Sequence, residues 1–140
     1  ATTGIYTLSL HDALPICTVQ VEDVLLEGLY GHDYRDALEG DRIVRDTGTE
    51  FAVDRAVDRV YRNVRRPLLL KAANLSLAMQ SQGFSDVVVW NPWVDACATM
   101  PDMAADGWRR MLCVEAAQSE TPVVLPAGEE WYGRQTLVCV

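Results

Sequence analysis

One carboxylate, that of Glu115, lies within an apolar stretch of the sequence. Residues 111–117 read MLCVEAA, so residues typical of a buried strand flank Glu115 on both sides. Burying an ionised carboxylate without partners is costly, and a charge in a core-like strand is therefore a candidate acid or base. The alternative is that Glu115 points to solvent from one face of a half-buried strand, where alternation makes glutamates common.

Composition restricts the class of protein. The chain has 140 residues, of which 49% are hydrophobic, enough for one domain with a real core. Its 20 acidic and 12 basic residues give a net charge of −8, which disfavours a nucleic-acid partner. A small cluster of arginines at 62, 65 and 66 is able to hold an anion, although a solvated loop is the favoured interpretation.

The four cysteines indicate a reduced protein. Cys17, Cys97, Cys113 and Cys139 form no CxxC pair and have no spacing suited to zinc, so we expect no metal site. A cytoplasmic protein is the resulting expectation. No apolar stretch approaches the roughly 20 residues that a membrane-spanning helix needs.

The beginning of the chain is unusual. Residues 7–16, TLSLHDALPI, resemble translated sequencing-adapter read-through, a contaminant of unrelated protein sequences. We therefore expect residues 1–17 to be an artefactual leader and residues 18–140 to form the domain. His11 belongs to this leader and is excluded as a functional residue.

From residue 18 onward the patterns favour strands. Alternating or β-branched runs predict the following strands: 18–22, 24–26, 42–45, 51–53, 57–61, 122–125 and 131–140. Residues 68–82 fit helix by propensity but strand by alternation, and we assign them mostly to strand. A short helical turn is expected within 101–110. Many short strands at regular spacing predict a β-sandwich or barrel, without a second domain.

Three motifs carry a family resemblance. Residues 87–93 (VVVWNPW), 100–103 (MPDM) and 111–117 (MLCVEAA) resemble the C-terminal signature of the glucose-6-phosphate 1-epimerases. These are the hexose-6-phosphate mutarotases of the aldose 1-epimerase family. The segments LEGL at 26–29, VDRVY at 57–61 and PAGE at 126–129 follow in the family's order, so that the resemblance covers residues 18–140.

The resemblance implies an all-β fold, an antiparallel β-sandwich of the galactose-mutarotase type with a sugar groove on one face. This chain would form only the C-terminal part of that domain. The implied reaction interconverts the α and β anomers of glucose 6-phosphate by acid-base ring opening, without a metal or organic cofactor. The implied partner is a small hexose phosphate, and a monomer is expected.

The resemblance also assigns residues. Glu115 matches the family's catalytic glutamate, the base on the anomeric hydroxyl, and Asp58 matches an aspartate that holds sugar hydroxyls. For Asp58 the alternative is a solvated carboxylate paired with Arg59 or Arg55. Tryptophans 90 and 93 are candidates for stacking on a sugar ring, but core packing is expected for at least one of them.

The acid partner is the missing element. In the family a histidine precedes the strand that matches residues 24–29, and counting back places it near Ala13, where no acid-base group stands. His11 is out of register by two residues. The family's phosphate-binding arginines are expected in an N-terminal half. We therefore predict impaired activity, with two alternatives: a non-catalytic carbohydrate-binding β-sandwich fragment, or an incomplete gene product without a stable fold.

Overall fold

The computed structural model describes residues 4–9, 14–15, 20–73 and 75–140, with side chains from Gln20 onward. Nearly all regular structure within these ranges is β-strand. In chain order the strands are β1 (Gly4–Ser9), β2 (Leu14–Pro15), β3 (Leu25–Glu27), β4 (Asp33–Asp36), β5 (Arg42–Arg45), β6 (Glu50–Ala52), β7 (Val57–Tyr61), β8 (Leu68–Ala72), β9 (Leu75–Gln82), β10 (Asp86–Asn91), β11 (Met111–Leu125) and β12 (Arg134–Cys139).

The strands form two antiparallel sheets. The larger has the order β1-β11-β10-β7-β4-β5, with β2 also paired to β11. The smaller has the order β12-β9-β8-β3-β6. One hydrophobic core contains buried residues from both sheets, among them Tyr61, Val89 and Leu112 from the larger sheet and Leu26 and Leu70 from the smaller. The predicted antiparallel β-sandwich is confirmed.

Alternation accounts for the two-layer arrangement. Successive side chains of a strand point to opposite faces of its sheet, so that one face is free to pack while the other stays available. In β8, Leu68 and Leu70 are buried and the residue between them is only partly so. Within residues 68–82, whose pattern fits both helix and strand, Leu68–Ala72 forms β8 and Leu75–Gln82 forms β9, so the strand assignment is correct for these residues.

Other strand predictions have mixed outcomes. β5 and β7 coincide with the predicted ranges 42–45 and 57–61. The predicted strand at 18–22 is wrong at its end, because Val21–Asp23 is a 3-10 helix whose Val21 side chain enters the core. Residues 18–19 lie outside the described ranges.

The predicted strand around residue 115 and the predicted strand 122–125 are one continuous element, β11. Pro122 cannot donate a backbone hydrogen bond, and it lies where the pairing of β11 with β1 is interrupted, between Gln118 and Val123. A proline in the interior of the strand is tolerated there because no ladder bond is required of it.

Helical structure is brief. The helix α1 spans Trp93–Cys97 and was not predicted, and further 3-10 turns span Ala37–Glu39 and Gly107–Arg110. The last of these confirms the helical turn expected within 101–110. No helix among the described residues has the length and apolar character that crossing a membrane requires.

The expected leader, residues 1–17, lies partly within the described ranges. Its residues 4–9 form β1 and pair with β11, and residues 14–15 form β2. Ala13 and His11 fall outside the described residues. The artefactual origin of the leader, and the boundary at residue 18, stay predictions.

Candidate active site

The register of the larger sheet places Glu115 and Asp58 on the same face. Glu115 lies directly opposite Val88, and Trp90 lies opposite both Cys113 and Asp58 on its two neighbouring strands. Residues paired in this way point to the same side of a sheet. This side, which we call the outer face, is opposite the face whose side chains enter the sandwich core.

The two carboxylates are separated by one intervening strand, β10. Neighbouring strands lie about 4.8 Å apart, so Glu115 and Asp58 are roughly 10 Å apart across the sheet and offset by two residues along it. Trp90 lies in the same row as Asp58, next to the row of Glu115. The outer face therefore presents two acids and an indole on three neighbouring strands.

Glu115 is buried, with 6% of its surface exposed. The alternative in which it extends into solvent from a half-buried strand is wrong. Its carboxylate contacts the Cys113 thiol, and burial, together with the charge of Glu115 and this hydrogen bond, raises the pKa of Cys113 to about 12. The thiol therefore stays protonated at neutral pH and donates to the carboxylate.

Asp58, the second residue of β7, is half-buried. Burial raises its pKa, the charges of Asp36 and Asp41 act in the same direction, and Arg35 opposes them. A carboxylate with this environment retains affinity for a proton or for a hydrogen-bond donor.

The expected alternative for Asp58 was an ion pair with Arg59 or Arg55, and the structure gives those arginines other partners. Arg55 Nε lies 2.8 Å from Asp54 Oδ1 at the surface, and Arg59 Nε lies 3.2 Å from Asp36 Oδ2. The side chain of Asp58 is therefore left available on the outer face. Its role in substrate binding stays a prediction.

In the motif at 87–93, the last residues hold the fold together. Asn91 is fully buried; its Nδ2 donates to the carbonyls of Trp108 (2.9 Å) and Met111 (2.7 Å), and its Oδ1 accepts from the Trp93 amide (2.8 Å). Trp93 has φ +59°, a strained value for a residue with a Cβ, and its ring lies 4.2 Å from that of Trp108. Asn91 thus joins α1 to the start of β11.

The two tryptophans of the motif have different environments. Trp93 packs against the core, which confirms the expectation that at least one of them does so. Trp90 is partly exposed on the outer face, in the row of Asp58. Of the two, Trp90 is the one positioned to contact a ligand of Glu115 and Asp58.

Sequence reasoning missed an ion-pair network at the edge of the outer face. Arg35, opposite Val60 in the sheet, donates to Glu120 (2.8 Å) and to Asp41 (2.5 Å), and Arg62 also contacts Glu120. Since Arg35 and Glu120 are 85 positions apart, no local pattern signals their contact. The network places a cation near Asp58.

A third outer-face carboxylate, Asp86, was also missed. It is 2% exposed, and its Oδ2 accepts from the amides of Ser119 (3.0 Å) and Glu120 (2.9 Å), while the Ser85 hydroxyl donates to its Oδ1 (3.0 Å). Its hydrogen-bonding capacity is used by the backbone, which indicates a structural role.

His32 is not part of this face. Its Nε2 accepts from Arg66 Nε (3.1 Å), so that Nδ1 carries the proton and donates to the Arg62 carbonyl (3.2 Å). Partial burial lowers its pKa, an effect that Arg66 reinforces. Among the described residues there is no group of three or more His, Cys, Asp or Glu side chains suited to a metal ion.

A small cavity lies on the other side of β11, between the two sheets. It has a volume of about 20 Å³ and is lined by Val87, Val114, Glu115, Met79 and Gln135 among others. This is room for about one water molecule and too little for a sugar.

Comparison with known proteins agrees with this architecture. A protein of Cenchrus ciliaris named "Putative glucose-6-phosphate 1-epimerase" is 31% identical over 137 residues, which are 96% of this chain and 41% of the relative. A solved structure described as that of a putative mutarotase (YeaD) from Salmonella typhimurium superimposes with a TM-score of 0.89 at 23% identity, over 99% of this chain and 47% of that one. The structure of HI1317 gives a TM-score of 0.78 at 19% identity, over 96% and 47% of the two chains.

The chain thus spans less than half the length of the relatives it matches. The model of the family described as "Aldose 1-epimerase" matches residues 2–137, nearly the whole chain. The enzyme class predicted from the resemblance, an isomerase, is confirmed at the level of the family. The chain belongs to the aldose 1-epimerase family.

Proposed function

We propose that this chain carries the base of a hexose-6-phosphate mutarotase that interconverts the α and β anomers of glucose 6-phosphate. The observation that supports this most is the placement of Glu115 and Asp58 on one face of the larger sheet, with Trp90 between them. Family membership supports a sugar substrate, and the name of the Cenchrus ciliaris relative supports glucose 6-phosphate.

In the proposed reaction Glu115 removes the proton of the anomeric hydroxyl while an acid protonates the ring oxygen. The bond between the anomeric carbon and the ring oxygen breaks, the carbonyl group that forms rotates, and closure on its other side gives the other anomer with both protons returned. Such acid or base assistance typically contributes about 10²–10⁴-fold to the rate. No cofactor takes part in these steps.

Burial of Glu115 suits it to this role. A carboxylate with 6% exposure is shielded from water, so that its interaction with a substrate proton is stronger than it would be in solution. The Cys113 thiol donates to the carboxylate without competing for its charge, because its own pKa is about 12.

We assign to Asp58 the binding of sugar hydroxyls. Its half-buried carboxylate has no hydrogen bond or ion pair to another residue in the described part of the chain, whereas Asp36 and Asp54 are bonded to arginines. Hydroxyl donors of a sugar would satisfy it. The ring of Trp90, in the same row, would cover an apolar face of the sugar.

The test is anomer exchange of glucose 6-phosphate followed by NMR exchange spectroscopy. Because the sequence places no acid-base group near Ala13, we expect an exchange rate that only slightly exceeds that of buffer. We expect the Glu115→Gln variant to remove this excess and the Glu129→Gln variant, an exposed residue outside the outer face, to retain it.

Three other results would change the proposal. Full activity that is lost in Glu115→Gln would contradict the predicted impairment and identify an acid elsewhere in the chain. Sugar-dependent shifts at Trp90 without any exchange that depends on Glu115 would favour the non-catalytic carbohydrate-binding alternative. Undispersed amide resonances would favour the unstable gene product.

A further inference from the structure

A glutamine of the smaller sheet reaches the backbone on both sides of Glu115. Gln135, on β12, donates from Nε2 to the carbonyl of Val114 at 3.0 Å and accepts at Oε1 from the amide of Ala116 at 3.0 Å. The two bonds cross from one layer of the sandwich to the other.

The pair of bonds reproduces strand pairing. A residue of a neighbouring parallel strand would donate to the carbonyl of residue i−1 and accept from the amide of residue i+1, and here the side-chain amide does both with Glu115 as residue i. The described partners of β11 on this side are β2 at Met111 and Leu112, and β1 from Ala117 onward. Gln135 occupies the interval between those two pairings.

Chemistry fixes the orientation of the amide. In the reverse orientation the NH₂ group would face the Ala116 amide hydrogen and the carbonyl would face the Val114 carbonyl, so that both contacts would become repulsive. The donor and the acceptor of Gln135 are therefore both required where they stand.

Close packing at the start of β12 determines how Gln135 approaches β11. Gly83 has φ +80°, and a Cβ there would lie 2.1 Å from the Tyr132 carbonyl oxygen. A Cβ on Gly133 would lie 2.4 Å from the Trp131 ring and 2.6 Å from the Phe84 ring. Gln135 is two residues after Gly133, and its side chain contacts β11. The close packing at the two glycines therefore fixes the position from which Gln135 reaches β11.

We propose that Gln135 is a positioning residue for Glu115, which it holds by fixing the backbone at Val114 and Ala116. The role rests on the proposed function of Glu115 as the base. Fixing these two peptide groups sets the direction of the Glu115 Cα–Cβ bond and keeps its carboxylate on the outer face beside Cys113. A base must be held within a fraction of an ångström to act on a bound sugar.

The test uses NMR of the sugar-free chain, with Gln135→Met as the variant and Thr136→Val as the matched control on the same strand. We expect protection of the Ala116 amide from hydrogen exchange to fall about tenfold or more in Gln135→Met, the effect of one lost hydrogen bond. We also expect the titration midpoint of the Glu115 carboxyl carbon to move. Thr136→Val should change neither.

A Gln135 that only joined the sheets would lower the melting temperature of Gln135→Met and leave the Glu115 titration unchanged, and that result would overturn the proposal. Gln135→Glu provides a second variant if Gln135→Met does not fold. It keeps the acceptor for the Ala116 amide and loses the donor to Val114, so we expect retained protection at Ala116 and an altered Val114 carbonyl shift. An unaltered Val114 shift would also contradict the proposal.

Neither measurement needs a sugar or turnover. A chain that fails to exchange anomers therefore contradicts the function proposed for Glu115 without affecting these results. An unchanged Glu115 titration contradicts the role of Gln135 and leaves the function of Glu115 standing.

Discussion

The two faces of the larger sheet are built by the same strands and have opposite chemistry. On the inner face of β7, β10 and β11 lie Tyr61, Val89 and Val114, all buried. Arg59 shares this face, and its charge is paired with Asp36. The outer face of the same three strands presents Asp58 and Glu115, with Trp90 and Cys113 beside them. Alternation along each strand separates the two sets at intervals of a single residue.

This difference shows how the chain combines stability with a reactive surface. The inner residues supply burial, which stabilises the strands, and the rigid strands hold the outer carboxylates at a fixed spacing. Sites on strands are more precisely held than sites on loops. As a consequence, charged groups lie only one residue from core residues, so a backbone shift in β11 moves the outer carboxylate and the core side chains together.

The largest expected effect lies on the inner face. Leu112 is fully buried in β11, next to the outer-face Cys113, and Leu112→Ala leaves a cavity in the shared core. We expect a loss of about 2–5 kcal/mol in the free energy of unfolding, measured by urea denaturation. The control Leu38→Ala, with the leucine 56% exposed, should change it by less than about 0.5 kcal/mol. Equal losses in the two variants would contradict the assignment of the inner face as the core.

A smaller loss is expected at the structural carboxylate of the outer face. Asp86→Ala removes the oxygen that accepts from the amides of Ser119 and Glu120, so that both backbone amides lose this acceptor. We expect a loss of about 1–3 kcal/mol, measured by thermal and urea unfolding. No loss would mean that Asp86 resembles Asp58 rather than a core residue.

Local patterns in the sequence were sufficient for several elements. Residues 57–61 and 42–45 are rich in β-branched residues and form strands with those bounds. The pattern could not predict α1, because that helix follows from the Asn91 side chain, which bonds to the Trp93 amide and to carbonyls 17 and 20 residues away. Asn91 lies next to the helix, but the carbonyls that fix its side chain are distant in sequence, so the local pattern carries no signal for the helix.

The residues of the candidate site were predictable from the sequence, but their arrangement was not. Glu115 is conspicuous because its neighbours are apolar, and Asp58 was found through a family motif. That the two share a face depends on the register of β7, β10 and β11, which the sequence does not state. The bonds of Gln135 to β11, 19 and 21 positions away, and the Arg35–Glu120 pair depend on how the layers and strands meet.

The smallest expected effect on stability has the opposite sign and lies at Asp58. Burial raises the pKa of Asp58, so the folded state binds its proton more tightly than the unfolded state does. This contribution to stability is complete below the unfolded pKa, near 3.9, and is lost as the pH rises through the higher folded pKa. At neutral pH the ionised carboxylate therefore weakens the fold, and Asp58→Asn should stabilise it by less than about 1 kcal/mol, since the group is partly solvated.

The pH dependence of the stability gain shows whether it comes from the ionised Asp58 carboxylate or from the substitution in general. The gain in Asp58→Asn should be present at pH 7 and absent at pH 3, measured by urea denaturation at both values. Asp54→Asn is the matched control: the Arg55 side chain holds the pKa of Asp54 below its ordinary value, so the substitution should give no gain at pH 7. If Asp58→Asn gains stability and also loses sugar binding, the outer face keeps a charge that the fold alone would not favour, as a functional site is expected to do. A loss of stability in Asp58→Asn at pH 7 would instead place Asp58 with Asp86, among the carboxylates that hold the sheet together.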